Sequence, residues 1–211
     1  MGTISKGILG GFSGTVGPIV GASWNGIDYI RSKPYSAGRA PSPAQQAQQA
    51  RFGLMVSVLR PLNSFLGLSF RRAAKGMSGL NLAVRYNILN AIDGSYPDFK
   101  VDHTRLKLSH GWLPNAGEPQ AVSTDTGRVS FTWKNNSGVG SARPGDKAML
   151  VVYEPVSGQA VYKCFGAPRY EQADTLELPA FSGMKTETYI SFIAENGVTA
   201  DSIYTGSVTV L

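Results

Sequence analysis

The sequence predicts an α+β protein built from a Gly-rich N-terminal arm with a hairpin, a small helical layer and a C-terminal antiparallel β-sandwich. Three observations predict it. Glycines and one Asn-Gly pair punctuate short apolar runs through residue 36. Apolar residues then recur at helical spacing up to residue 92, and from residue 99 onward the period falls to two. The expected boundaries are 1–41 for the arm, hairpin and linker, 42–98 for the helical layer and 99–211 for the sandwich.

In the arm, Gly7, Gly10, Gly14, Gly17 and Gly21 alternate in spacing by three and four. On a helix that spacing would leave a stripe without side chains, but glycines and Pro18 disfavour a helix interior in water, so an extended conformation is expected. Ile19–Trp24 and Ile27–Ser32 flank Asn25-Gly26, the two-residue loop most favoured for a type I′ hairpin. PYSAGRAPSP, residues 34–43, follows as an extended linker, because each proline restricts itself and its predecessor.

A helix is expected immediately afterwards. Ser42 can cap it, Pro43 suits the first helical position and Gln45 completes a capping box. Ala47, Ala50, Leu54 and Val58 form its apolar stripe; Leu62 and Phe65 continue it beyond Pro61, which should kink or divide the helix. A further helix from Ser78 to Ile92 carries Leu80, Ala83, Val84, Asn87 and Ala91, and Asp93-Gly94 stops it.

The clearest strand of the C-terminal part is 128–134, where Val129, Phe131 and Trp133 alternate with polar residues. Further strands are expected at 105–109, 148–153, 159–165, 175–178, 188–194 and 202–210. Asp125-Thr126-Gly127, Pro144-Gly145-Asp146, Ser157-Gly158 and Asn196-Gly197 supply turns between them. About seven short strands at this spacing predict two packed antiparallel sheets.

Composition narrows the function. A chain 42% hydrophobic and 16% charged folds, and its single Cys164 can form neither an internal disulfide nor a multi-thiolate metal site. The N-terminus lacks the unbroken apolar core of a secretion signal, and no stretch reaches about 18 unbroken apolar residues. No membrane span is therefore expected, and the expected location is the cytoplasm or a phage-like or non-classically exported assembly. Residues 1–100 hold eleven Lys or Arg against three acids, whereas 101–211 hold nine against eleven. A cationic half attracts nucleic acid, anionic lipid or the acidic face of a neighbouring copy.

No Walker loop, dinucleotide fingerprint or nucleophile elbow occurs, and GILGGFSG lacks the Lys of a phosphate cradle. His103 and His110, seven apart, would face opposite sides of a strand and are expected at the surface. Cys164 is expected to pack in its strand, although Lys163 beside it could lower its pKa. Glu171, Asp174 and Glu177 suit a solvated rim better than a calcium site. No catalytic residue, cofactor or metal is expected.

The partner expected first is another copy of the chain. Ordering a Gly-rich terminus costs about 1–2 kcal/mol per residue, which contacts from Ile8, Leu9, Phe12, Val16, Ile19, Val20, Trp24 and Tyr29 can offset. The second expected partner is nucleic acid, held by Arg31, Lys33 and Arg39 around the linker and by Arg71, Arg72 and Lys75 within one and a half helical turns. The third is a glycan or adhesion ligand on loops carrying Trp112 or Tyr170.

The later strand pattern, with Trp133 on the second strand, Tyr153 on the third and TYISFIAENG near the end, resembles a fibronectin type III or immunoglobulin-like sandwich. Tyr189 and Ala194, five apart, depart from that family's same-face pattern, so the resemblance is to the architecture. Over the whole chain, GxVGPxVGxxWxGxxYxRxxP at 14–34, GMSGLNLAVRYN, HGWLP and ADSIYTG resemble an uncharacterised Bacteroidota family of about 200 residues. The resemblance implies a bacterial or phage origin and a one-unit architecture, and brings no catalytic residue.

Overall fold

The structure, a computed structural model, describes residues 2–4, 11–24, 26–34 and 40–211, which divide into two compact units, Met1–Ser42 and Pro43–Leu211. The Gly-punctuated apolar runs of the first unit form an antiparallel meander: β1 (Thr3–Ile4), β2 (Phe12–Val16), β3 (Ile19–Trp24) and β4 (Ile27–Ser32), in that spatial order. The foreseen hairpin is β3–β4, its register unbroken from Trp24↔Ile27 to Ile19↔Ser32. Gly17, at φ 55°, turns the chain with Pro18 from β2 into β3. Gly21 is the one buried position in β2, β3 and β4; a Cβ there would lie 2.1 Å from the Phe12 carbonyl oxygen, so only glycine fits beneath the Phe12 ring.

The second unit starts with α1 (Pro43–Leu59), and Pro61 divides the helical stripe as expected, through a 3-10 turn at Arg60–Leu62 into α2 (Asn63–Ser69). This run has the length and apolar content of a membrane span, but Met55, Leu59, Leu62, Phe65 and Leu66 along it are spent on the core. α3 (Gly79–Asn90) is capped by Ser78, whose Oγ accepts from the Asn81 amide at 3.2 Å. A short β5–β6 pair (Ile92–Asp93, Lys100–Val101) follows.

Seven strands form the sandwich: β7 (Gly117–Val122), β8 (Arg128–Lys134), β9 (Lys147–Glu154), β10 (Gln159–Lys163), β11 (Ala173–Glu177), β12 (Lys185–Ile193) and β13 (Ile203–Thr209). They pair as β10-β9-β12-β13 and β11-β8-β7. The alternation read in β8 is real: Val129, Phe131 and Trp133 are buried and Arg128, Thr132 and Lys134 exposed.

β9 is buried at every position after Lys147, because both its faces are covered. Ala148, Leu150 and Val152 meet Phe131, Trp133 and Phe192 inside the sandwich, while Met149, Val151 and Tyr153 meet Leu59, Phe65 and Leu66 of the helices. The unit is thus three layers deep, with the helices covering the outer face of the larger sheet.

One strand expectation is corrected. Residues 105–109 are not a strand; they run irregularly, and their backbone is bonded by side chains instead of a ladder. Asn87 accepts from the Lys107 amide and donates to its carbonyl, Ser202 Oγ accepts from the Leu108 amide, and Ser69 Oγ donates to the Leu108 carbonyl. The strand that was missed is β7, whose GEPQAV has little apolar alternation and contains a bulge between Gly117 and Gln120.

Arg169, wholly buried, ties one end of the sandwich together. Its guanidinium pairs with buried Asp146 at 3.1 Å, donates to Asn136 Oδ1 at 2.7 Å and the Pro114 carbonyl at 2.9 Å, and lies 4.2 Å from the Phe192 ring centroid. The Arg169 carbonyl accepts from Trp133 Nε1 at 2.9 Å. Asp146→Ala should lower stability by about 3–5 kcal/mol in urea unfolding, because it strands a buried cation. Asp146→Leu combined with Arg169→Met should recover most of that loss.

Candidate functional site

Residues directly opposite in an antiparallel ladder share a face, so the registers sort the first unit's side chains. Phe12, Val16, Ile19, Asp28 and Ile30 lie on one face; Val20, Ala22, Trp24, Ile27, Tyr29 and Arg31 lie on the other. The predicted assembly residues are thereby split, with Phe12, Val16 and Ile19 on the first face and Val20, Trp24 and Tyr29 on the second. Ile27 and Ile30, absent from the expectation, are more exposed than any of the predicted residues that are described, at 67% and 63%. The sequence signal for Ile27 was available: it follows the turn directly opposite Trp24. Ile8 and Leu9 lie outside the described residues.

The basic candidates fall in both units. Arg31 is on β4 and Lys33 just beyond it, its amide donating to the Pro18 carbonyl at 2.7 Å; Arg39 lies outside the described residues. Arg71, Arg72 and Lys75 are not on a helix, because α2 ends at Ser69 and a run of turns follows. The guanidinium of Arg72 donates to the Asn196 carbonyl.

Neither histidine is fully at the surface. His103 is half-buried beside Tyr153, with ring centroids 5.7 Å apart, and burial pushes its pKa down against the opposing charges of Glu187 and Asp102. His110 Nδ1 contacts Asp201 at 2.8 Å, and its ring stacks on Tyr86. Burial pushes the Cys164 thiol up, the opposite of activation, and Lys163 beside it bonds instead to Asp174 at 2.8 Å and to the Thr175 carbonyl. In the acidic run, Asp174 also accepts from the Ala167 amide, and Glu177 pairs with Arg128. Among the described residues no group of three or more His, Cys, Asp or Glu is placed to hold a metal ion.

Three segments singled out by sequence meet at Asp201. Its carboxylate accepts from Lys107 Nζ at 2.7 Å and from the Gly111 amide at 3.1 Å, besides contacting His110, and its carbonyl accepts from Asn115. Lys107 lies over the Tyr86 ring at 4.6 Å. GMSGLNLAVRYN, HGWLP and ADSIYTG thus supply Tyr86, His110 and Asp201 to one knot. Gly111 passes so close to Thr199 that a Cβ would fall 2.0 Å from its carbonyl oxygen.

Beside this knot lies an open cleft of about 1080 Å³. Exposed Trp112 and Phe165 flank it, and Arg143, Glu195 and Asn196 supply polar groups around buried Asp146. Tyr170, named with Trp112 in the sequence, is exposed but does not line it.

A helical layer over one face of a two-sheet antiparallel sandwich defines an α+β protein. The chain belongs to a family of unknown function, DUF6266, whose model matches residues 11–206 and so spans most of the N-terminal sheet as well as the sandwich. Among solved structures it is similar to the solution structure of the fibronectin type III domain of human collagen alpha-1(XX) chain. Identity is 16% and the TM-score 0.34, over 48% of this chain and 88% of that one. No curated protein matches.

Burial alone would raise the Asp201 carboxyl, but Lys107, the Gly111 amide and His110 outweigh it and hold it below its ordinary value. A carboxylate with a depressed native pKa stabilises above its unfolded value of about 4, and that stability is lost as pH falls. The stability difference between the wild type and Asp201→Asn should therefore be largest above about pH 4 and shrink towards pH 3. Urea midpoints measured at pH 6 and pH 3 check this.

Proposed function

We propose that the chain is a non-enzymatic structural protein that self-assembles, as a filament, shell or phage-like particle subunit, through its N-terminal sheet. The observation that carries this reading is the exposure of Trp24, Ile27 and Tyr29 together on one face of a four-stranded sheet, with Ile30 exposed on the other. A unit of some 40 residues is at the size where oligomerisation, a metal or disulfides are usually needed for stability. Among the described residues of β2, β3 and β4 a single glycine is fully buried, and no cysteine lies in Met1–Ser42. Contiguous exposed apolar surface of this kind marks an interaction site.

Light scattering during size-exclusion chromatography tests the proposal. The wild type should run as several copies, and Trp24→Ser combined with Ile27→Asp should run at the monomer mass of 22.5 kDa. A wild type that is monomeric at high micromolar concentration overturns it.

The cleft favours a second reading, a carbohydrate ligand. An exposed indole at its mouth offers the flat apolar face on which a sugar ring stacks, and the charged and amide groups around it suit hydroxyls. Screening on a glycan array should find ligands whose signal is lost in Trp112→Ala; an array with no ligand for the wild type overturns this reading.

A further inference from the structure

We infer that β4 is the assembly strand, and that two copies of the chain join by pairing β4 against β4 about a two-fold axis, with Ile30 facing Ile30. This rests on the proposed assembly and names its contact. β4 is an edge strand, with β3 on one side and no strand on the other among the described residues. All of Ile27–Ser32 is exposed. A six-residue exposed edge without proline is a template for another strand, and β4 carries none of the bulges that blunt such edges.

The ladder fixes which groups are free. The Lys33 amide donates to the Pro18 carbonyl, so at position 33 the backbone points towards β3. Antiparallel ladders alternate bonded and non-bonded pairs, so Ile27, Tyr29 and Arg31 also point towards β3, while the N–H and C=O of Asp28, Ile30 and Ser32 point outward. Two identical edges related by an axis normal to the sheet pair residues of the same parity.

Four registers put a β4 residue on the axis near the middle of the strand, and charge and bonding choose among them. Centring on Asp28 opposes two carboxylates, and centring on Arg31 opposes two guanidinium groups; both repel. Centring on Tyr29 sets the Asp28 carboxylate against Ile30 and leaves the outward groups of Ser32 beyond the strand. Centring on Ile30 pairs Asp28 with Ser32 at both ends, completes about six backbone hydrogen bonds and sets Tyr29 opposite Arg31, where a guanidinium meets an aromatic face. The two sheets then become one, with Ile27 and Tyr29 of each copy set opposite Lys33 and Arg31 of the other on the face that carries Trp24.

Cysteine cross-linking of the full chain in a Cys164→Ala background tests the contact and its register. Cα atoms of a bonded antiparallel pair lie about 5.5 Å apart, within disulfide reach. Under mild oxidation Ile30→Cys should give mostly covalent dimer. Tyr29→Cys alone should give no covalent dimer, and Tyr29→Cys mixed with Arg31→Cys should cross-link. Ile30→Pro removes an outward N–H that the chain's own sheet does not use, so it should abolish association seen by light scattering while the far-UV spectrum is kept.

Self-cross-linking of Tyr29→Cys overturns the register. Oligomers in light scattering without cross-linking of Ile30→Cys overturn β4 pairing and leave the assembly reading standing. A monomeric wild type overturns both.

Discussion

Burial of both faces of β9 and β12 is the constraint on which the second unit depends. A sandwich needs one apolar face per strand, but Met149, Val151, Tyr153, Tyr189 and Ile193 carry a second apolar face that water would penalise. The helices exist in this fold to cover it. Met55, Leu59, Leu62, Phe65 and Leu66 supply the cover, and Pro61 lets one stripe bend across the sheet in two helices. The chain between the helices and the sandwich must then thread past packed layers, and it does so as irregular backbone satisfied by Asn87, Ser69 and Ser202.

Polar groups fix this unit at two points for different reasons. At the Arg169 end, a cation with no solvent access holds the loops at Pro114, Asn136 and Asp146 in one arrangement, since any slip would leave a buried charge unpaired. At the Asp201 end, the carboxylate is partly solvated and its value lies in direction, joining α3, the threading segment and the entry to β13. The open cleft uses the rigidity of both: Asp146 lies in its lining, and Trp112 follows Gly111, which is bonded to Asp201.

The first unit inverts this economy. It satisfies the backbone of β2 and β3 but hides little apolar surface, and its outermost long strand offers unpaired backbone groups. Among the described residues its strands bury Gly21 alone, and this regular structure with so little buried is what the proposed assembly rests on.

The hairpin around Asn25-Gly26, the break at Pro61, the α3 stripe and the alternation of β8 were all legible in the sequence, because each is set by local backbone chemistry or by one buried face. The motif residues Trp24, Tyr29 and Arg31 were legible as a group as well, though not their common face. Strand periodicity failed at 105–109 and at β7, where bonding by distant side chains and a bulge replace alternation. Arg169 carried no local signal at all, since its partners lie 23 to 55 positions away. What the sequence determined alone was therefore every feature fixed by a residue and its near neighbours. Which face is covered, which edge stays open and which charge is buried were decided only when distant segments packed, because burial is a property of the assembled layers and not of any stretch of chain.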